Sequence, residues 1–140
     1  MQINHITNYA IEAIIYLATV ARSVSSQEIA DAIMVSRSLL INILCKLRAE
    51  KLINAERGLR GGYSLARDPS EISLLDVIQC MEKTIYINYC LEPGTMSNVV
   101  SDPNFHNVHQ YFYELQEGLE ESLRAMTLDK LITKQSSWTK

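Results

Sequence analysis

Arg57 and Arg60 lie in the run Arg57-Gly58-Leu59-Arg60-Gly61-Gly62-Tyr63, and guanidinium groups on a glycine-rich turn are suited above all to phosphate oxygens. The glycines do not build a nucleotide cradle, because the run joins two short apolar stretches and does not open a helix. Upstream, Ser36, Arg37, Ser38, Asn42 and Lys46 supply hydroxyl, guanidinium, amide and ammonium groups at helical spacing. Asparagine can pair bidentately with adenine and arginine with guanine; for Arg37 a contact to phosphate is the other reading. From Val35 to Arg67 there are seven basic residues against two acids. A polyanion is drawn to such a surface by release of its condensed counterions. Ser36, Arg37, Ser38, Asn42, Lys46, Arg57, Arg60 and Tyr63 are therefore the candidate DNA-binding residues.

A second constellation is Cys90, His106 and His109. A thiolate with two imidazoles on one helix face suits zinc or iron, with Asp102, Glu92 or a residue of another subunit as a fourth ligand. The alternative is two solvated histidines and a lone thiol. Cys80 reads as packing. Cys45 falls on the polar side of its helix, where Lys46 and Arg48 could activate it, or where it is simply tolerated. No nucleophile elbow, zinc-protease motif or phosphate loop is present, so no catalysis is expected.

The elements that must position these groups follow from periodicity. Residues from Thr7 to about Ala21 predict an apolar helix, and Ser25 with Glu28 has capping-box spacing ahead of a short second helix. Ser36 caps a third helix whose inner face is Leu40, Ile43, Leu44 and Leu47. Leu52–Ala55 and Tyr63–Ala66 predict two strands around the glycine turn. Ser73 caps a fourth helix to about Lys83, and Thr84 to Pro103 reads as a long loop rich in turn signals. From Asn104 to about Met126, residues Phe105, Val108, Phe112, Leu115, Leu119 and Leu123 recur at three- and four-residue steps. That seam either packs on its own domain or pairs with a second subunit; its length favours the subunit.

Charge divides the same way. Residues 1–67 carry eight Lys/Arg against five Asp/Glu, whereas residues 68–140 carry five against eleven. A basic head thus opposes an acidic remainder. The 140 residues have no apolar run of membrane-spanning length and no signal-peptide pattern, and three cysteines are too few for a disulfide framework. A cytoplasmic protein without a membrane partner is expected.

Several segments resemble one family. Asn8-Tyr9-Ala10 with Tyr16-Leu17-Ala18 looks like its first helix. Arg57-Gly58 with Gly61-Gly62-Tyr63-Ser64-Leu65-Ala66-Arg67 is similar to its wing. Ile72 to Ile78 and Thr127-Leu128-Asp129-Lys130-Leu131 resemble its fourth helix and its C-terminal tag. The chain is identified as a member of the Rrf2 family of bacterial transcriptional regulators, which are IscR-, NsrR- and CymR-like. The resemblance implies a homodimeric winged-helix repressor or activator that senses iron–sulfur status, nitric oxide, redox state or cysteine supply. Cluster-bearing members place three cysteines before the long helix. Here Cys90 takes the first place, His106 falls on the third, and His109 falls where some members have a ligand histidine. Asn8 stands where certain nitric-oxide sensors have an aspartate. Arg57 matches the family's wing arginine, Arg60 replaces a glycine, and Ile41 replaces a glutamate on the reading face.

The expected protein is mainly α. It has a winged helix-turn-helix domain with a two-stranded wing (1–83), an effector loop (84–103), and a long dimerisation helix with its tail (104–140). It would bind duplex DNA as a homodimer on an inverted repeat, as a repressor answering a redox, metal or metabolite signal. No cofactor is expected, the alternative being a metal or atypical iron–sulfur cluster at Cys90, His106 and His109. The competing function is docking of a partner protein such as a metabolic enzyme.

Overall fold

The computed structural model describes residues 2–95 and 102–133; the tail 134–140, with Trp138, and residues 96–101 of the expected effector loop lie outside them. Helix α1 (His5–Val20) begins where the Asn4 side chain accepts the Thr7 amide at 3.0 Å, and it buries Ala10, Ala13, Ile14 and Leu17 in the centre of the core. Helices α2 (Ser26–Ile33) and α3 (Arg37–Ala49) are joined by a tight turn. Met34 adopts a left-handed conformation there (φ 60°), and its amide donates to the Ala30 carbonyl. Ser36 then caps α3 by accepting the Leu39 amide at 3.3 Å. Leu40, Ile43, Leu44 and Leu47 are buried, as their spacing required.

Strands β1 (Ile53–Glu56) and β2 (Gly62–Leu65) pair antiparallel from Ile53 opposite Leu65 to Glu56 opposite Gly62. This wing is tied back to the helices at Val24, whose amide donates to Tyr63 at 2.9 Å and whose carbonyl accepts from it at 2.7 Å. The close approach explains Gly62. Its φ is +150°, and a Cβ there would lie 2.5 Å from the Val24 oxygen.

Helix α4 (Leu74–Met81) opens on a complete capping box: the Asp76 amide donates to Ser73 Oγ and the Ser73 amide to the Asp76 carboxylate. The Ser25–Glu28 pair makes only half of one. The Glu28 amide donates to Ser25 Oγ, but its carboxylate turns to the Tyr16 hydroxyl at 2.7 Å and to Arg22 at 3.0 and 3.3 Å. Arg22 offers the carboxylate an opposite charge and two donors, and Tyr16 a third, where the reciprocal cap would offer a single neutral amide. Helix α4 also ends before Lys83, because Glu82 is recruited to the start of α1, where the Asn4 amide and the Thr7 hydroxyl donate to it.

The long helix α5 (Pro103–Ala125) matches expectation, but α6 (Leu128–Thr133) was not anticipated. Leu128 is fully buried in the main core. The segment before it is stitched to the entrance of α4, with the Leu74 amide on Met126 O and the Leu128 amide on Ile72 O, each at 2.9 Å. On α5 itself only Gln116 is buried. Its side-chain oxygen accepts the Ile87 amide at 2.9 Å and its nitrogen donates to the Ile85 carbonyl at 3.1 Å. One amide side chain thereby satisfies two backbone groups of the segment leaving α4.

Candidate nucleic-acid interface

With its leucine face locked inward, α3 presents Ser38, Asn42, Cys45, Lys46 and Arg48 to solvent, while Ile41 is half-buried. Ser36 and Arg37 stand at its exposed start. The Ser36 hydroxyl is engaged as the cap, and Arg37 Nε donates to Ser26 Oγ at 3.0 Å, which anchors the guanidinium to α2. Asn42, Cys45 and Lys46 line a cleft that Ile6 of α1 and Met81 of α4 close on the other side. This polar face of α3 therefore borders both α1 and α4.

The wing extends that surface. Arg57, Gly58, Leu59 and Arg60 are all exposed, and the Gly61 amide closes the tip on the Gly58 carbonyl at 3.0 Å. Arg57 shares a cleft with Arg48, Glu56 and Tyr63; an adjoining cleft is lined by Arg48, Lys51, Asn54 and Glu56. Arg48 thus bridges the helix and the wing, with Lys51 beside it. In the sequence, Arg48 stood out only as a neighbour of Cys45, and Lys51 only within the count of basic residues. The available signal was the positive run at the end of α3 leading into β1. Tyr63 is half-buried and packs against the core, lines the cleft with Arg48 and Arg57, and ties the wing to Val24 through its backbone.

Electrostatics sharpen this face. The ion pairs among the described residues are Arg22–Glu28 and Arg124–Glu120, neither of them here. Lys46, Arg48, Lys51, Arg57 and Arg60 are therefore charges without an acidic partner at salt-bridge distance. Cys45 is exposed beside them, whereas burial, aided by Glu50, pushes the half-buried Cys80 thiol up and keeps it protonated.

The second constellation is not assembled into a ligand set. Cys90 is half-buried in a short 3-10 turn (Tyr89–Leu91), where its amide donates to the Asn88 side chain at 3.0 Å. Thr95 Oγ1 closes the same loop on the carbonyls of Cys90 and Glu92. His106 is exposed on α5 and His109 half-buried. Among the described residues, no group of three His, Cys, Asp or Glu side chains could hold a metal ion. Residues 91–102 contain no second thiol. This donor set does not fit an iron–sulfur cluster, and the loop's described shape comes from its own hydrogen bonds.

On α5, Phe105, Val108 and Leu115 are exposed and Phe112, Leu119 and Leu123 half-buried. Leu123 packs against Leu75, Ile78 and Ile85. The helix thus rests on its own chain along one edge and leaves the rest of its apolar stripe open. Among the described residues, no helix is long and apolar enough to cross a membrane.

Comparison with known proteins gives this geometry its context. The Rrf2 family model, described as an iron-dependent transcriptional regulator, matches residues 3–134. A Mycobacterium tuberculosis protein named as an HTH-type transcriptional regulator is 37% identical over 84 residues, 59% of this chain and 52% of that protein. The chain therefore matches about half the length of that relative. Protein aau3 of Rhizobium meliloti is 32% identical over 133 residues, covering 94% of this chain and 85% of its own. Among solved structures, CymR, named the global cysteine regulator of B. subtilis, superposes with a TM-score of 0.79 at 24% identity, over 96% of this chain and 98% of CymR. The shared architecture is the winged helix-turn-helix with its trailing helices, and the chain belongs to the Rrf2 family of DNA-binding transcriptional regulators.

Proposed function

We propose that the chain acts as a homodimer on an inverted-repeat operator, with α3 reading the major groove and the wing arginines entering the adjacent minor groove. The observation that carries this reading is the set of exposed cations, Lys46 and Arg48 on α3 and Arg57 and Arg60 on the wing, which have no acidic partner at salt-bridge distance among the described residues. Ser36, Arg37 and Lys46 would position the phosphate backbone, Ser38 and Asn42 would face base edges, and Tyr63 would hold the wing in register. A minor groove narrowed by A/T pairs concentrates negative potential at the wing arginines.

Dimerisation through α5 is supported by the open stripe of Phe105, Val108 and Leu115, continuous with Phe112, Leu119 and Leu123. Pairing two chains there would set the spacing of two reading heads, as a two-fold operator requires. In this reading residues 1–83 form the reading head, 84–103 a loop where a redox or metabolite signal is felt, and 104–140 the pairing element. Repression would follow from occupying the operator.

The test is a gel shift against DNA from upstream of the chain's own gene, with sedimentation of the free protein. A two-protomer complex whose affinity falls steeply with salt supports the proposal. A monomer in solution that binds random and upstream duplex equally would overturn it.

A further inference from the structure

Leu59 stands at the wing tip with a relative exposure of 108%, so no other side chain covers it. A lone exposed leucine is ordinary in itself. This one occupies, with Arg60, the two central positions of the turn closed by the Gly61-to-Gly58 hydrogen bond, and Arg57 lies just before that turn. The turn is narrow at its base: a Cβ at residue 61 would lie 2.3 Å from the Glu56 oxygen, and Gly58 has a φ of +110°. A two-residue apex is the narrowest end of the wing, and the minor groove it would enter is about 6 Å across. The flanking arginines would carry it there and hold it against the phosphates.

We infer that Leu59 is an apolar wedge that inserts at a base step in the minor groove and bends the duplex, an inference resting on the DNA-binding reading above. An aliphatic group in that groove gains by leaving water only if it finds apolar base faces, and partial unstacking supplies them. Bends made this way run from about 20 to 90° toward the major groove. They are easiest at pyrimidine–purine steps, so Leu59 would add a preference for a flexible step at a position with no hydrogen-bond readout.

The probe is a duplex enriched from a random-sequence library by the parent protein, end-labelled for energy transfer and carrying 2-aminopurine at successive positions under the wing. The parent should bend it and brighten one 2-aminopurine. Leu59→Ala, which removes no contact in the folded chain and should melt as the parent does, should abolish both signals. It should change affinity by less than about tenfold, since the lost burial and the avoided unstacking oppose each other. Leu59→Met should restore the signals. If Leu59→Ala bends and brightens the duplex like the parent, or the parent does neither, the wedge is refuted. The underlying reading fails separately: an unchanged salt slope for Arg57→Gln would remove Arg57 from the phosphates whatever Leu59 does.

Discussion

Replacing Arg57 by glutamine keeps the length of the side chain and removes one charge from each wing. Arg57 is exposed, has no acidic partner at salt-bridge distance among the described residues, and shares a cleft with Arg48. If Arg37, Lys46, Arg48, Lys51, Arg57 and Arg60 each meet a phosphate in both protomers, about twelve counterions leave the duplex on binding. The logarithm of affinity then falls with the logarithm of salt at a slope of about −11. Arg57→Gln removes two of those contacts and brings the slope to about −9. Between about 50 and 200 mM salt the parent should therefore lose roughly tenfold more affinity than the variant. The assay is fluorescence anisotropy on one labelled duplex across a salt series, with circular dichroism to show that the fold is intact. Equal slopes for the two proteins would refute the placement of Arg57 on phosphate.

Other outcomes follow from single groups. Asn42→Ala should lower discrimination between cognate and mismatched duplex by about 1–3 kcal/mol and leave binding to random DNA nearly unchanged; equal losses on both would defeat base reading. Val108→Asp with Leu115→Asp should leave the melting temperature of the chain largely intact and shift sedimentation from dimer to monomer, because both side chains are exposed in the single chain. A dimer that persists would place the pairing surface elsewhere. Leu128→Ala should cost about 2–5 kcal/mol in chemical denaturation, since the side chain is fully buried; a loss under 1 kcal/mol would mean that α6 contributes little. Glu28 is held below the ordinary carboxylate range by the Tyr16 hydroxyl and then by Arg22. A carboxyl lowered in the folded state stabilises it above the unfolded pKa and loses that effect as pH falls through the lowered one. The parent's melting temperature should therefore fall more steeply than that of Glu28→Gln over that acid interval, and parallel curves would exclude the contact.

The outward face of α3 was legible because helical phase is a local property. Once Leu40, Ile43, Leu44 and Leu47 were assigned inward, Asn42, Cys45 and Lys46 had to face out, and they do. The wing was legible from its glycines for the same reason. What escaped depends on distant partners. Glu28 has the spacing of a cap, yet Tyr16 and Arg22, elsewhere in the chain, take its carboxylate. Gln116 looks like a surface residue in a charged helix until the Ile85–Ile87 backbone arrives beside it. Helix α6 is too short to show a period, and Leu128 is recognisable as core only once it meets α1 and the strand-like entrance to α4. Lys51 carried no helical phase to place it, and Arg48 counts for more than its phase suggested because the wing folds up beside it.

The stitch between Ile72–Leu74 and Met126–Leu128 has a consequence for how this protein comes into being. A chain emerging from synthesis can form α1 to α3 and the wing early, but the plug that completes their interior arrives more than fifty residues after the segment it pairs with. Until then the nascent head exposes the apolar hollow that Leu128 fills, and a fragment cut after α4 would carry that hollow permanently. The head is therefore finished only after the long helix has been made, so any chain whose head is complete already carries α5 in full.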